Sequence, residues 1–337
     1  MIPAIFGLSG PVLTDDERTF FRQADPAGYI LFGRNMQDRQ QLRALTDSLR
    51  EIHGRDRLLI TIDQEGGRVC RMKAPTWPSY PAGEAFDRLY DIAPASAIEA
   101  ARANAEALGH DLAEVGITCT HAPVLDVRQP GAHDVIGDRA YGSEPLRVAA
   151  IGRAVLDGLE RAGICGTIKH MPGHGRSLVD THKELPRVTA SDAELEWDIA
   201  PFKALADAPM AMTGHLVFEA WDPDHPATQS PVVIEQIIRQ RIGFGGLLLT
   251  DDLDMEALSG TVPERAEVAI AAGCDIALNC WGRMPDMTGI AERLPAMRPE
   301  TAERLDRALS VTRVDGAAGR QAELLAKRDA LLGLAAA

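Results

Sequence analysis

The sequence predicts an α/β protein built as a single (β/α)8 barrel of the TIM type with extra C-terminal helices. Eight short apolar runs recur along the chain, and most of the gaps between them have helical periodicity. Continuous hydrophobicity is typical of strands that are buried on both faces of a parallel sheet. Strands and helices that alternate over this length indicate a closed barrel. We expect one domain over residues 1–337, with the helices from about residue 300 packed on it.

The predicted strands follow one another at regular intervals. They are PAIFGL near the start, GYILFG from Gly28, LLITID from Leu58, ITCTHAPVLDV from Ile117, GICGTIKH from Gly163, PMAMTGHLVF from Pro209, GGLLLTDD from Gly245 and CDIALNC from Cys274. A doubly wound open sheet is the structural alternative. It is disfavoured because no Gly-x-Gly-x-x-Gly follows the first run, as a dinucleotide-binding fold would require.

Helix signals fill the gaps between these runs. Asp38 is the expected N-cap of one helix and Gly54 its C-terminal stop. One face of that helix carries four apolar residues spaced 3, 4 and 3 positions apart, which are Leu42, Leu45, Leu49 and Ile52. The same pattern recurs from Ser143 to Gly163, and again from Ser191, where S-D-A-E forms a capping box.

Composition narrows the classes of function. The 35 Lys and Arg against 49 Asp and Glu give a net charge of −14, which argues against a nucleic-acid partner. Five scattered cysteines without a C-x-x-C pair argue against a disulfide framework and a structural zinc site. The start, MIPAIFGLSGPV, lacks signal-peptide features, and no apolar run approaches the length of a membrane span. We therefore expect a cytoplasmic protein that does not span a membrane.

Polar residues follow three of the predicted strands, at the end where the active site of a barrel lies. A helix cap or a solvated loop charge is the simpler interpretation of any one of them. Several sets at one rim favour a functional site instead. The sets are Asp63, Glu65, Arg68 and Arg71 after LLITI, Lys169 and His170 after GICGTI, and Asp251, Asp252 and Asp254 after GGLLLT.

The segment from Met171 to Arg187 has no clear periodicity, and a loop of this length in a compact domain is usually functional or disordered. Asp180 and His182 are two residues apart within it. The carboxylate could bind one imidazole nitrogen and leave the other for proton transfer. On spacing alone, a solvent-exposed histidine beside an aspartate is an equally good interpretation. With a carboxylate at a strand end, such a pair suits glycosidic bond cleavage and also other hydrolyses.

Six motifs together resemble glycoside hydrolase family 3, specifically its single-barrel bacterial β-N-acetylglucosaminidases. They are KHMPGHGRSLVDTH, LLLTDDLDME, IDQEGGRVCR, HAPVLDV, VIGDRAY and LFGRN, and the resemblance runs from Leu31 to about Met255. It implies a cytoplasmic, exo-acting enzyme that removes N-acetylglucosamine from 1,6-anhydro-N-acetylmuramyl peptides during peptidoglycan recycling. It also implies that neither a metal nor an organic cofactor is needed.

The resemblance implies a role for each matching residue. Asp251 would be the nucleophile, His182 the acid/base and Asp180 the partner that orients His182. The sugar would be bound by Asp63, Arg71, Arg139, Lys169 and His170. We expect the loop that carries His182 to close over bound sugar. We expect a monomer or weak dimer that acts on a small muropeptide or another saccharide containing N-acetylglucosamine.

Other functions stay open on the sequence. A β-N-acetylglucosaminide phosphorylase would use the same fold with phosphate as the acceptor. Substrate-assisted hydrolysis would use Glu256 as the acid, although we expect Glu256 to lie in the helix after its strand. Asp251, Asp252 and Asp254 could instead hold Mg²⁺. The non-enzymatic alternative is a barrel that binds sugar without turnover.

Overall fold

The eight predicted strands form a closed parallel barrel in the computed structural model, which describes residues 1–177, 185–312 and 320–335. The strands in the described residues are β1 (Ile2–Gly7), β2 (Pro26–Leu31), β3 (Leu59–Ile62), β4 (Cys119–Thr120), β5 (Cys165–Met171), β6 (Arg187–Val188), β7 (Met210–Thr213), β8 (Val217–Phe218), β9 (Leu247–Asp252) and β10 (Ile276–Asn279). The barrel order is β1-β10-β9-β7-β5-β4-β3-β2, and β6 pairs with β8 in a separate two-stranded sheet. The predicted (β/α)8 fold is confirmed.

Helices surround the barrel. They are α1 (Asp15–Ala24), α2 (Arg39–His53), α3 (Gly83–Ile92), α4 (Pro94–Glu114), α5 (Pro145–Arg161), α6 (Asp192–Ala204), a π-helical segment (Val233–Ile242), α7 (Val262–Ala272), α8 (Met284–Arg293), α9 (Pro299–Leu309) and α10 (Gln321–Leu332). Short 3₁₀ turns lie at Gly33–Asn35, Gly137–Arg139, Ala227–Gln229 and Gly333–Ala335. Near the C-terminus, α9 contacts β9 and α10 packs against α4. No described helix combines the length and apolar character that crossing a membrane requires.

Capping chemistry explains where the helices begin and end. The Asp38 side chain accepts a hydrogen bond from the Gln41 amide at 2.8 Å, and Gly54 ends α2 with a φ of 60°. Ser191 and Glu194 form the predicted capping box of α6. The helix predicted from Ser143 begins two residues later, at Pro145. Its N-cap is Glu144, because proline suits the first helical position, where no N–H is needed.

The core has two layers, one on each face of the barrel wall. Side chains such as Ile5, Leu59 and Leu249 fill the interior, whereas Phe6, Ile60 and Leu248 pack beneath the surrounding helices. Each strand is therefore apolar on both faces, which is why the predicted strands read as continuous hydrophobic runs. All five cysteines are free and buried. Because the strands are parallel, their carboxyl ends meet at one rim, where the predicted site residues follow them.

Candidate active site

A cavity of about 590 Å³ opens at the carboxyl rim of the barrel. Its wall contains Asp251 and all the predicted sugar-binding residues, which are Asp63, Arg71, Arg139, Lys169 and His170. The structure thus brings these side chains together from the ends of β3, β5 and β9 and from the turn after β4. The predicted proton-transfer pair, Asp180 and His182, lies outside the described residues.

Five charged side chains on one side of the cavity form a connected network of alternating sign. Asp63 Oδ2 accepts a hydrogen bond from Arg71 at 3.0 Å, and its Oδ1 lies 3.4 Å from Lys169 Nζ. Lys169 Nζ is also 2.6 Å from Glu65 Oε1. Arg139 donates to both oxygens of Glu65, at 2.7 and 2.8 Å. Glu65, which was not among the predicted sugar-binding residues, is the carboxylate that joins Lys169 to Arg139.

The charges in this network hold both acids ionised. Burial by itself would raise the pKa of Asp63, but Lys169, His121 and Arg71 outweigh burial and hold it well below the usual range. Burial also opposes ionisation of Glu65, but Arg139 and Lys169 outweigh it and lower the pKa of Glu65 to about 2. The carboxylates and cations therefore present strong acceptors and donors to the cavity. Such groups suit the recognition of several hydroxyls on one polar ligand.

Asp251 lies near the end of β9, and the barrel order places β9 opposite β3. Its Oδ1 accepts a hydrogen bond from the Asp252 amide at 2.8 Å. Burial raises the pKa of Asp251, but neighbours led by His170 outweigh burial and lower it below the usual value. Within the described part of the chain, no hydrogen bond occupies Oδ2. Asp251 thus offers an ionised oxygen to the cavity, as nucleophilic attack requires.

Asp126 orients His170, although the sequence analysis gave Asp126 no role. Its Oδ2 lies 2.6 Å from His170 Nδ1, and its Oδ1 accepts the amides of His170 at 3.1 Å and His174 at 2.7 Å. Burial raises the pKa of Asp126, but His170 and His174 lower it to about 2. An ionised carboxylate only accepts, so His170 Nδ1 carries the proton and Nε2 is left for a ligand. In the sequence, the one feature that could have indicated a role for Asp126 was its position near the end of the fourth predicted strand run, ITCTHAPVLDV.

His215, to which the sequence patterns assigned no role, binds the main chain next to Asp251. Its Nε2 lies 2.9 Å from the Asp252 carbonyl oxygen and its Nδ1 lies 2.8 Å from Thr228 Oγ1. Because a carbonyl only accepts, Nε2 carries the proton and the Thr228 hydroxyl donates to Nδ1. Burial lowers the pKa of His215, which favours this neutral form. The indication available in the sequence was the position of His215 within the sixth predicted strand run, PMAMTGHLVF.

The acidic residues after Asp251 connect two strand ends. Asp252 Oδ1 accepts the amides of Asp254 and Cys280, both at 3.2 Å. Asp254 Oδ2 accepts from the Asn279 side chain at 2.6 Å, and Asp254 also pairs with Arg283. These carboxylates therefore hold the turn after β9 against the turn after β10. Across residues 1–177, 185–312 and 320–335, no group of three or more His, Cys, Asp or Glu is placed to hold a metal ion.

Glu256 does not lie where the sequence placed it. We expected it in the helix after its strand, but that helix, α7, begins only at Val262 and is capped by Thr261. Glu256 instead lies in the turn after β9, is exposed and lines the cavity. The helix starts later because the Thr261 hydroxyl and the Glu264 carboxylate supply its capping box.

Asp252→Asn is expected to stabilise the protein in a pH-dependent way. Burial, with the charges of Asp254 and Asp251, raises the pKa of Asp252 to about 7. A raised folded-state pKa means that stability is fully present below the unfolded pKa, about 4, and is lost as pH rises through 7. Asparagine keeps the acceptor oxygen without the charge. We expect Tm to rise by about 2–4 °C at about pH 8 and the gain to disappear near pH 4, as measured by thermal melts.

The control for this stability test is Asp306→Asn, which removes a carboxylate on the surface, 78% exposed. It is expected to change Tm little at either pH, because exposed charges contribute little to stability. An Asp252→Asn gain of equal size at both pH values would contradict the assigned cause.

Comparison with known proteins identifies the family of the chain. The model of the glycosyl hydrolase family 3 N-terminal domain matches residues 11–315. The β-hexosaminidase of Alkalilimnicola ehrlichii is 38% identical over 310 residues, covering 90% of this chain and 88% of that protein. The β-hexosaminidase of Tolumonas auensis is 36% identical over 324 residues, covering 94% and 92%.

A solved structure agrees with these sequence relatives. NagZ from Neisseria gonorrhoeae, crystallised in complex with N-trifluoroacetyl-D-glucosamine, matches the fold with a TM-score of 0.88 and 31% identity, covering 99% of this chain and 98% of that chain. Family model, sequence relatives and fold agree over nearly the whole length. The chain therefore belongs to glycosyl hydrolase family 3.

Proposed function

We propose that this glycoside hydrolase is a retaining exo-β-N-acetylglucosaminidase. Its substrate would be a saccharide or muropeptide with terminal N-acetylglucosamine β-linked to 1,6-anhydro-N-acetylmuramic acid, as in cytoplasmic peptidoglycan recycling. The observation that carries the proposal is the pairing, in one cavity, of the network around Lys169 with the ionised Asp251 at the opposite side of the barrel. The names of the relatives and the glucosamine derivative bound to the similar Neisseria protein support the sugar assignment.

In this proposal, Asp251 attacks the anomeric carbon while His182 donates a proton to the glycosidic oxygen. The bond from the anomeric carbon to the leaving oxygen breaks as the bond to the carboxylate forms. His182 then takes a proton from water, and the hydroxyl displaces Asp251 with a second inversion. Asp180 would orient the imidazole. Asp63, Arg71, Arg139, Lys169 and His170 would bind the sugar hydroxyls.

Hydrolysis by the wild type and by His182→Ala tests the proposal. With an aryl β-N-acetylglucosaminide that has an activated leaving group, His182→Ala is expected to keep part of the wild-type rate, because such a group needs little protonation. With a disaccharide, the same variant is expected to lose about 10²–10⁴-fold, the usual contribution of general acid catalysis. NMR of the first product should show the β-anomer.

His225→Ala is the matched control, because His225 is exposed and outside the cavity wall. It is expected to lower neither rate. Equal losses of His182→Ala on the activated and the natural substrate would count against His182 as the acid. Absence of any β-N-acetylglucosaminide cleavage by the wild type would overturn the proposed function.

Phosphorolysis is the second candidate because a histidine acid would not repel a phosphate acceptor as a second carboxylate would. The reactions are therefore run with and without inorganic phosphate. We expect free N-acetylglucosamine as the product in both cases, at the same rate. N-acetylglucosamine 1-phosphate, formed faster as phosphate is added, would instead establish a phosphorylase.

A further inference from the structure

The rim of the cavity carries an exposed tryptophan that the catalytic proposal does not use. Trp281 lies two residues after the end of β10, lines the cavity and is 58% exposed. The residue before it is held by two hydrogen bonds, because Asp252 accepts the amide of Cys280 at 3.2 Å and Arg34 donates to the Cys280 carbonyl oxygen. Gly282 then turns the chain with a φ of 67°. The Trp281 indole therefore lies exposed at the opening of the cavity, on a backbone that hydrogen bonds hold in place.

An arginine next to this turn carries a charge that pairs with no side chain among the residues the structure describes. Arg34 donates to the Leu8 carbonyl oxygen at 2.7 Å and to the Cys280 carbonyl oxygen. Its guanidinium also lies 4.8 Å from the centre of the Phe32 ring. Over the described ranges, Arg34 makes no ion pair, and Nη1 has no hydrogen-bond partner. Of the carboxylates near Arg34, Asp252 accepts the amides of Asp254 and Cys280, and Asp254 is paired with Arg283.

The barrel order places these two residues on the arc of the rim between the nucleophile and the hydroxyl-binding network. Trp281 is on the side of Asp251, and Arg34 is on the side of Asp63, where the Arg71 guanidinium lies 5.1 Å from the same Phe32 ring. The strands β9, β10, β1, β2 and β3 are consecutive neighbours, and Asp63 directly follows β3. Lys169 lies within β5, on the other side of β4. Suppose that a terminal sugar binds with its hydroxyls on that network and its anomeric carbon at Asp251. Its leaving group must then lie at the open rim of the cavity. Trp281 and Arg34 form part of that rim.

We propose that Trp281 and Arg34 form a leaving-group site that accepts a ring carrying a carboxylate. The indole face would pack on the apolar face of the ring, and the guanidinium would pair with the carboxylate. The inference rests on the proposed function, since it assigns the group next to the cleaved bond. It adds that the site selects the leaving group by its charge.

The part played by Trp281 is tested with two substrates that differ in the leaving group. One is β-N-acetylglucosaminyl azide, which has no ring to pack, and the other is N-acetylglucosaminyl-β-1,4-N-acetylmuramic acid. For Trp281→Ala, the loss in kcat/KM on the disaccharide is expected to exceed the loss on the azide by about tenfold. Trp281→Phe, which keeps a ring, is expected to recover most of this difference.

The matched control is Trp197→Ala, because Trp197 is 47% exposed on α6 and does not line the cavity. It is expected to leave the ratio of the two rates unchanged. An equal loss on both substrates for Trp281→Ala would overturn the assignment of Trp281.

The part played by Arg34 is tested by comparing the disaccharide acid with its methyl ester. The wild type is expected to prefer the acid by about tenfold in kcat/KM, as a charge-assisted Arg–carboxylate pair would give. Arg34→Gln is expected to bring that preference close to one, and Arg34→Lys to keep part of it. Arg88→Gln, which removes an exposed charge from α3, is the control.

Should Arg34→Gln fail to fold, the wild type still tests the charge assignment. Its preference for the acid over the ester should fall as salt is added, because ions screen the pair. Equal rates on acid and ester at low salt would overturn the charge assignment. Cleavage of neither the azide nor the disaccharide would instead overturn the proposed function, so the two failures are distinguishable.

Discussion

Asp251→Asn is expected to remove nearly all turnover, with a loss in kcat on the order of ten-thousandfold or more. The amide has the same shape but is not a nucleophile, whereas the Asp251 carboxylate leaves Oδ2 without a hydrogen bond to any described residue. Asparagine can still accept the Asp252 amide through its carbonyl oxygen. We therefore expect Tm to change little while hydrolysis of an aryl β-N-acetylglucosaminide disappears.

A covalent trap gives an independent measurement of the same role. A 2-fluoro sugar with a good leaving group should label Asp251, as detected by peptide mass spectrometry, because the fluorine slows release more than capture. Asp207→Asn, a substitution at an exposed surface carboxylate, should be labelled like the wild type. If turnover were intact but Asp251 were not labelled, substrate-assisted hydrolysis would be favoured. Its acid would be Glu256, which is exposed and lines the same cavity.

Lys169→Met is expected to cause the second large loss, about 10²–10³-fold in kcat/KM, with a fall of about 2–4 kcal/mol in the free energy of unfolding. The Lys169 side chain is only 3% exposed, and among the described residues it is the single cation that contacts both Asp63 and Glu65. Methionine fills the space but leaves the two buried carboxylates with less compensation. Denaturant melts and steady-state kinetics measure the two effects.

The pH dependence of stability separates charge from packing in this variant. In the wild type, the lowered pKa values of Asp63 and Glu65 mean that their stabilisation is present above the unfolded values of about 4 and is lost as pH falls toward 2. Lys169→Met should therefore lose less stability than the wild type over that interval. Parallel pH curves for both proteins would contradict the role of charge.

Lys203→Met is the control for the loss of a lysine. Lys203 is 35% exposed and binds Glu196 on the surface of α6. Its replacement is expected to cost less than about 1 kcal/mol, as is usual for an exposed ion pair.

Strand positions and helix caps could be predicted because they depend on local chemistry. The apolar runs correspond to the eight barrel strands, and Asp38, Gly54 and Ser191 act where the sequence placed them. The convergence of Asp63, Lys169 and Asp251 followed from one rule, that the ends of parallel strands meet at one rim. Glu256 was misplaced because the start of α7 depends on capping groups several residues further along.

Contacts between distant strand ends could not be predicted in this way. Asp126 binds His170 across 44 positions, and His215 reaches the Asp252 carbonyl across 37. Spacing does not encode such pairs, because they depend on which strands become neighbours and on how far each side chain reaches. The same holds for Asp252 and Asp254, which a sequence motif presents as possible metal ligands and the structure uses to bind amides and side chains.

The sequence alone was enough to predict the barrel, the rim at which the candidate site residues meet and the carboxylate at the end of the seventh barrel strand. These follow from the period of hydrophobicity and from residues adjacent in the chain. Folding brings Glu65 between Lys169 and Arg139, and it leaves Arg34 without an ion pair to any described residue near the exposed Trp281. The reason is physical: whether a charge is compensated or available depends on neighbours that folding brings from far along the chain.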